Sequence, residues 1–204
     1  MMPLTMIEIS NSLILFIQSM AIPLQLFAIS IFSFAEGLPV VGSILPGGTV
    51  ALLAGSLSAA GYFSPFVAFL LIGLSSFAGD MAGFFMGKRF KETPFIKKIV
   101  THEKHQKTWD LFDRHIALIV IFGKLIPVIR STPSLFAAAR GVKARRYMLL
   151  SFIGSLLWAF VGVFVGNVLT QYLGKKAIAI ILIILIISIV AVIVRQIIRK
   201  HTNK

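Results

Sequence analysis

Residues 121–134 read IFGKLIPVIRSTPS, and the chain on either side can be arranged around them. An apolar run leads in and a basic segment follows, yet the stretch holds Lys124 and Arg130 with Pro127 between them and Pro133 just after. A cation at membrane depth costs about 2.5–3.5 kcal/mol on insertion scales. Proline removes a backbone donor and clashes with the preceding turn, so a helix breaks here. Broken backbone at that depth survives only where it is buried in protein or lines a wet cavity. A charged, broken, membrane-embedded hairpin is a functional site by default.

That reading requires a membrane protein, and composition supplies one. Of 204 residues, 57% are hydrophobic and 13% charged, with mean hydropathy +0.93. Soluble domains carry about 25% charged residues. The length suits a single domain, 1–204, with room for four or five spans. Net charge is +13, which in such a chain points to loops facing anionic inner-leaflet lipids rather than to nucleic acid. There are no cysteines, so disulfides are excluded and thiolate metal sites disfavoured. The N-terminus has no basic leader and no small-residue cleavage site, and is expected to be a retained first span.

Outward from the central stretch, apolar runs at 10–34, 65–87, 147–173 and 177–194 read as spans. Residues 35–60, AEGLPVVGSILPGGTVALLAGSLSAA, are apolar but carry five glycines and two prolines, so a re-entrant hairpin is expected there, with Glu36 at its mouth. Its architecture rests on Pro46, Gly47 and Gly48, as that of the second hairpin, 115–139, rests on Pro127 and Pro133. Residues 88–114 hold eight Lys/Arg and four Asp/Glu with interspersed apolar residues, an amphipathic cytoplasmic segment. Arg140–Arg146 adds four positive charges, and 195–204 is a basic tail. The positive-inside rule puts these three segments and both termini in the cytoplasm. One hairpin then enters from outside and the other from inside. The fold expected is an all-α polytopic membrane protein of about four transmembrane helices plus two oppositely oriented re-entrant helical hairpins in an inverted repeat. In such layouts substrate sites lie near the midplane. Glycines 79, 83 and 87 recur on one helix face, and 154, 162 and 166 mark another, where neighbours can approach closely.

Arg130 has two readings. Its planar fork suits a lipid phosphate, and it also suits an ion pair with Glu36 or Asp80. Lys124 adds a point charge to the phosphate site or snorkels to the interface. Glu36, a carboxyl in an apolar glycine-rich setting, is a candidate proton carrier or a partner of Arg130. Asp80 falls near the cytoplasmic end of its span, where pairing with Lys88, Arg89 or Arg140 is expected. His102, His105 and His115 form no compact metal pattern and read as solvated interfacial residues; no metal or cofactor is expected. No nucleophile–base pair or metal cluster marks an intramembrane enzyme. Gly47-Gly48-Thr49 is too short for a nucleotide phosphate loop.

Three stretches together resemble the DedA family of VTT-domain membrane proteins: the acidic hairpin FAEGLPVVGSILPGGTVALLAGSLSAAG, the helix segment GDMAGFFMGKRF, and FGKLIPVIRSTPSLFAAARGVKARRYMLLSFIGSLLW. The resemblance implies two facing hairpins and translocation of a phosphate-bearing lipid, undecaprenyl phosphate first and phosphatidylethanolamine second, with proton coupling in some members. It gives Glu36 the family's hairpin acid and Arg130 its second hairpin arginine. Lys124 stands at the first arginine position, Gly48 where a second acid is usual, and Ala137-Ala138 where Ala-Gly is usual. A membrane assembly factor that transports nothing is the alternative from a different class. The partners expected are the phosphate-bearing lipid and anionic inner-leaflet lipids, with a homo-oligomer left open.

Overall fold

The computed structural model describes residues 22–39, 41–44, 47–90, 106–126, 130, 132–174, 176–184 and 186–187. Among these there is no strand. The helices are α1 (Ile22–Gly37), α2 (Val41–Ile44), α3 (Gly47–Ala59), α4 (Pro65–Phe90), α5 (Gln106–Phe122), α6 (Thr132–Ala139) and α7 (Ala144–Leu173), with a 3-10 turn at Gly123–Leu125. Residues 176–184 are also helical and pack Ile178 and Leu182 on Leu57 of α3. Pro46, Pro127, His102, His105 and the basic tail lie outside the described residues, as do residues 10–21 of the first apolar run.

Two helices, α4 and α7, are long and apolar enough to cross a membrane, and fewer than half the residues in their apolar windows are buried. Their outward faces carry Phe66, Leu74, Phe85, Met86, Leu149, Ile153, Phe160 and Phe164, all exposed. The interior, by contrast, holds Glu36, Asp80, Lys124, Arg130 and a set of serines. A soluble core helix buries its phenylalanines; this inside-out arrangement suits a hydrocarbon solvent.

α4 and α7 run antiparallel. Phe84 stacks on Tyr147 at one end, with ring centroids 4.6 Å apart, and Ile72 meets Ala159 nearer the other. Four shorter helices fill in around this pair. α1 lies along the first half of α4, with Ile29 clustered among Ala68 and Ile72 and Gly37 against Ser76 and Asp80. α3 returns along the second half of α7, from Gly48 beside Trp158 to Ser56, whose hydroxyl donates to the Gly166 carbonyl at 3.0 Å. Both arms therefore occupy the Pro65 end of the frame. α5 and α6 occupy the Phe90 end: Gly154 faces Val120 and Ile121, Gly83 faces Ser134, and Gly87 faces Ala138. α5 is kinked at His115 (φ −121°, ψ 27°). The two interruptions, which begin after Gly37 and after Phe122, face each other halfway along α4 and α7.

Glycine makes these approaches. A Cβ on Gly79 would strike the Phe34 carbonyl, one on Gly55 the Val163 carbonyl, and one on Gly166 the Leu52 carbonyl. The glycine faces expected on the two long helices are thus occupied, by neighbouring backbone at Gly79, Gly154 and Gly166 and by the side chains of Pro39, Ala138 and Ala51 at Gly83, Gly87 and Gly162. One boundary differs from the sequence reading. Residues 35–37 belong to the last turn of α1, so the arm that carries Glu36 includes Ile22–Phe34, within the run read as a span. Continuous apolar sequence does not record where a helix stops short; only the Gly37–Ser76 contact does.

Candidate functional site

The site is assembled by close backbone contacts. Gly37 sits so near α4 that a Cβ there would lie 2.7 Å from both the Ser76 carbonyl and the Asp80 amide nitrogen. That contact brings the last turn of α1 onto the middle of α4 and sets Glu36 beside Asp80. Gly154 brings the end of α5 against α7, which places the 3-10 turn and Lys124 beside Ser155.

Two ion pairs result. The Arg130 guanidinium pairs with Glu36, and both side chains are more than nine-tenths buried. Lys124 Nζ lies 2.6 Å from Asp80 Oδ2, equally buried. The neighbours expected for Asp80 from sequence, Lys88, Arg89 and Arg140, are thereby corrected: its partner is Lys124, reached through the fold. Asp80 sits at mid-helix on the face toward α7 and α5, whereas Lys88 and Arg89 lie in the last turn of α4.

The two cations are held differently. Lys124 donates to Ser76 Oγ at 3.0 Å and Ser155 Oγ at 2.6 Å besides pairing with Asp80. An ammonium has three N–H donors, so its capacity is filled. Asp80 in turn accepts from Ser151 Oγ at 2.5 Å. Tyr147, fully buried, extends this string through hydrogen bonds with Ser151 and Ser134. Arg130 instead reaches into the first break: its Nη2 donates to the Gly42 carbonyl at 3.3 Å, and its guanidinium carbon lies 5.8 Å from the centre of the Trp158 ring. The Trp158 indole N–H is buried without a hydrogen-bond partner among the described residues.

Glu36, Gly37, Ser76, Asp80, Lys124, Arg130 and Trp158 line one small cavity. The space within it is about 10 Å³, enough for about one water molecule. The site is therefore closed: no lipid headgroup fits while both pairs are made.

Every charged residue singled out from sequence, Glu36, Asp80, Lys124 and Arg130, is in this cluster. Of the architectural residues, Pro133 lies buried in the first turn of α6, Gly47 opens α3, and Gly48 faces Trp158, whose Cη2 would be 3.3 Å from a Cβ there. His115 is exposed on the kink of α5. The sequence reading missed Ser76, Ser151, Ser155 and Trp158. Serine at helical spacing on α7 (Ser151, Ser155) opposite Ser76 and Asp80 was the available signal.

With this geometry established, comparison places the chain among known proteins. The VTT domain family model matches residues 45–168. Inner membrane protein YghB of Escherichia coli (strain K12) is 29% identical over 133 residues, covering 63% of this chain and 60% of that protein. Inner membrane protein YabI of the same organism is 28% identical over 138 residues, covering 66% and 54%, and Protein DedA is 25% identical over 138 residues, covering 65% and 63%. The chain thus spans less than two thirds of the length of each of these relatives. No solved structure matches it. The chain is a membrane protein and belongs to the VTT-domain, or DedA, family.

Proposed function

We propose that the chain is a lipid translocase, a carrier and not an enzyme, that moves a phosphate-bearing lipid across the cytoplasmic membrane. The observation that carries this reading is the pair of ion pairs buried at the mid-length of two long apolar helices, where two broken helices meet from opposite ends. In this reading α1–α3 and α5–α6 are re-entrant hairpins that dip from the outer and inner leaflets, and both termini are cytoplasmic. The family's transport role, as the resemblance implies it, accords with this layout.

The chemistry follows from the charges. Four ionised groups left singly in hydrocarbon would each cost about 2.5–3.5 kcal/mol or more. Paired, they are tolerated; a headgroup phosphate between the breaks replaces Glu36 as the partner of Arg130 and keeps that charge compensated. Glu36, released, takes a proton or meets solvent, which would couple the step to protons. Undecaprenyl phosphate is the first candidate and phosphatidylethanolamine the second, since the phosphate contact is common to both.

The test is translocation of fluorescent analogues of the two lipids in proteoliposomes, with and without a pH gradient. Arg130→Ala is expected to abolish movement of the preferred lipid while the protein still inserts. Wild-type rates in Arg130→Ala would sink the reading. If neither lipid moves and a Glu36/Arg130 charge swap keeps full cellular function, the chain is an assembly factor instead.

A further inference from the structure

We infer that the charged cluster is divided in two: Lys124 with Asp80 is a fixed anchor, whereas Arg130 with the Trp158 indole N–H is the receptor for the substrate's phosphate. The inference rests on the lipid reading and sharpens it, because the sequence reading placed Lys124 beside Arg130 in the phosphate site.

The division lies in what each cation touches. All three partners of Lys124 come from the long helices: Ser76 and Asp80 from α4, Ser155 from α7. Their distances of 2.6–3.0 Å are those of well-formed hydrogen bonds. An ammonium with its three donors spent has none to offer an incoming phosphate. Its pairing ties the second break to the frame and leaves the first break untouched.

Arg130 contacts the opposite element. Glu36 ends α1 and Gly42 lies in α2, so the guanidinium bridges one break to the other. Separation of the breaks therefore opens the Arg130 contacts and preserves those of Lys124. Trp158 stands under the same guanidinium and lines the same cavity. A buried indole N–H normally has an acceptor, and that of Trp158 has none among the described residues. An oxygen of a phosphate held by Arg130 supplies that acceptor. Trp158 is thus a substrate-binding residue and Lys124 a positioning one.

The test compares wild type, Trp158→Phe and the paired variant Asp80→Asn/Lys124→Met in proteoliposomes, with a polyprenyl phosphate as probe. Trp158→Phe keeps the ring and removes the donor. It is expected to raise the half-saturating lipid concentration about tenfold, the loss of one hydrogen bond to a charged group. The paired variant is expected to keep half-saturation within about threefold and to lower the maximum rate, since it loosens the frame without touching the receptor. Half-saturation unchanged in Trp158→Phe, or raised about tenfold in the paired variant, overturns the division.

Should the paired variant fail to fold, Ser76→Ala/Ser155→Ala answers the same question. It removes two of the three partners that fix Lys124 and leaves Arg130 and Trp158 untouched, so an anchor predicts a lower maximum rate at unchanged half-saturation, and a changed half-saturation overturns it. If wild type neither moves nor is stabilised by the lipid, the translocase reading fails and takes the receptor with it. The anchor is then read from thermal unfolding alone: coupling between Asp80 and Lys124 in a double-mutant cycle upholds it, and independent effects overturn it.

Discussion

Of the two hydroxyls that accept from Lys124, that of Ser155 makes the shorter hydrogen bond, 2.6 Å against 3.0 Å. Ser155→Ala deletes a hydroxyl that accepts from Lys124 and leaves a buried N–H without an acceptor. The cost is about 1–3 kcal/mol, visible as a lower thermal midpoint in detergent. Glu36→Gln is expected to be harsher, about 3–5 kcal/mol, because it leaves the Arg130 charge buried and unneutralised. Glu36→Gln/Arg130→Gln should recover much of that stability and none of the transport, since no charge then remains to compensate or to bind with. Chemical denaturation of the three proteins, with the transport assay beside it, separates the two effects. The charges themselves were legible in sequence: a cation between prolines in an apolar run has few bland explanations. The serines were not. Ser76, Ser151 and Ser155 resemble any small helix-packing residue until the fold turns them toward Lys124 and Asp80, and Asp80's partner lay far along the chain rather than in the next turn.

Between elements, glycine decides what fits. Gly55→Ala and Gly166→Ala each drive a methyl into a backbone carbonyl, Val163 and Leu52 respectively, which cannot swing aside as a side chain would. Each is expected to cost about 1–3 kcal/mol or more and to reduce the yield of folded protein. Gly61→Ala meets no atom within 4 Å and is strained only by φ +89°, so its yield and melting point should fall less. Size-exclusion profiles of the three variants make the comparison. At this scale the breaks were readable from proline and glycine, and the packing faces from four-residue glycine spacing. The length of the arm carrying Glu36 was not, because a helix that halts at mid-frame and one that continues share the same apolar composition.

For the molecule as a whole, the proposed orientation puts the Pro65 end of the frame outside and the Phe90 end in the cytoplasm. The chain has no cysteine, so single substitutions report without background. Ser64→Cys is expected to react with a membrane-impermeant maleimide in intact cells, and Lys88→Cys only after the cells are opened. The reverse pattern would invert the topology. The pattern of two interruptions meeting between two long helices was legible because prolines and glycines break otherwise apolar runs. The mutual placement of the arms needed coordinates.

The glycine contacts of α1 and α3 carry one more consequence. Phe34 rests on Gly79, Leu52 on Gly166 and Val163 on Gly55, main chain laid flat on main chain. Interlocked side chains resist sliding, because every knob must leave its hole. Smooth surfaces like these act as bearings. The pair at the Pro65 end has more such contacts than the pair at the Phe90 end, where Gly154 meets the backbone of Val120 and Ile121, and in the proposed transport cycle it is the pair expected to shift.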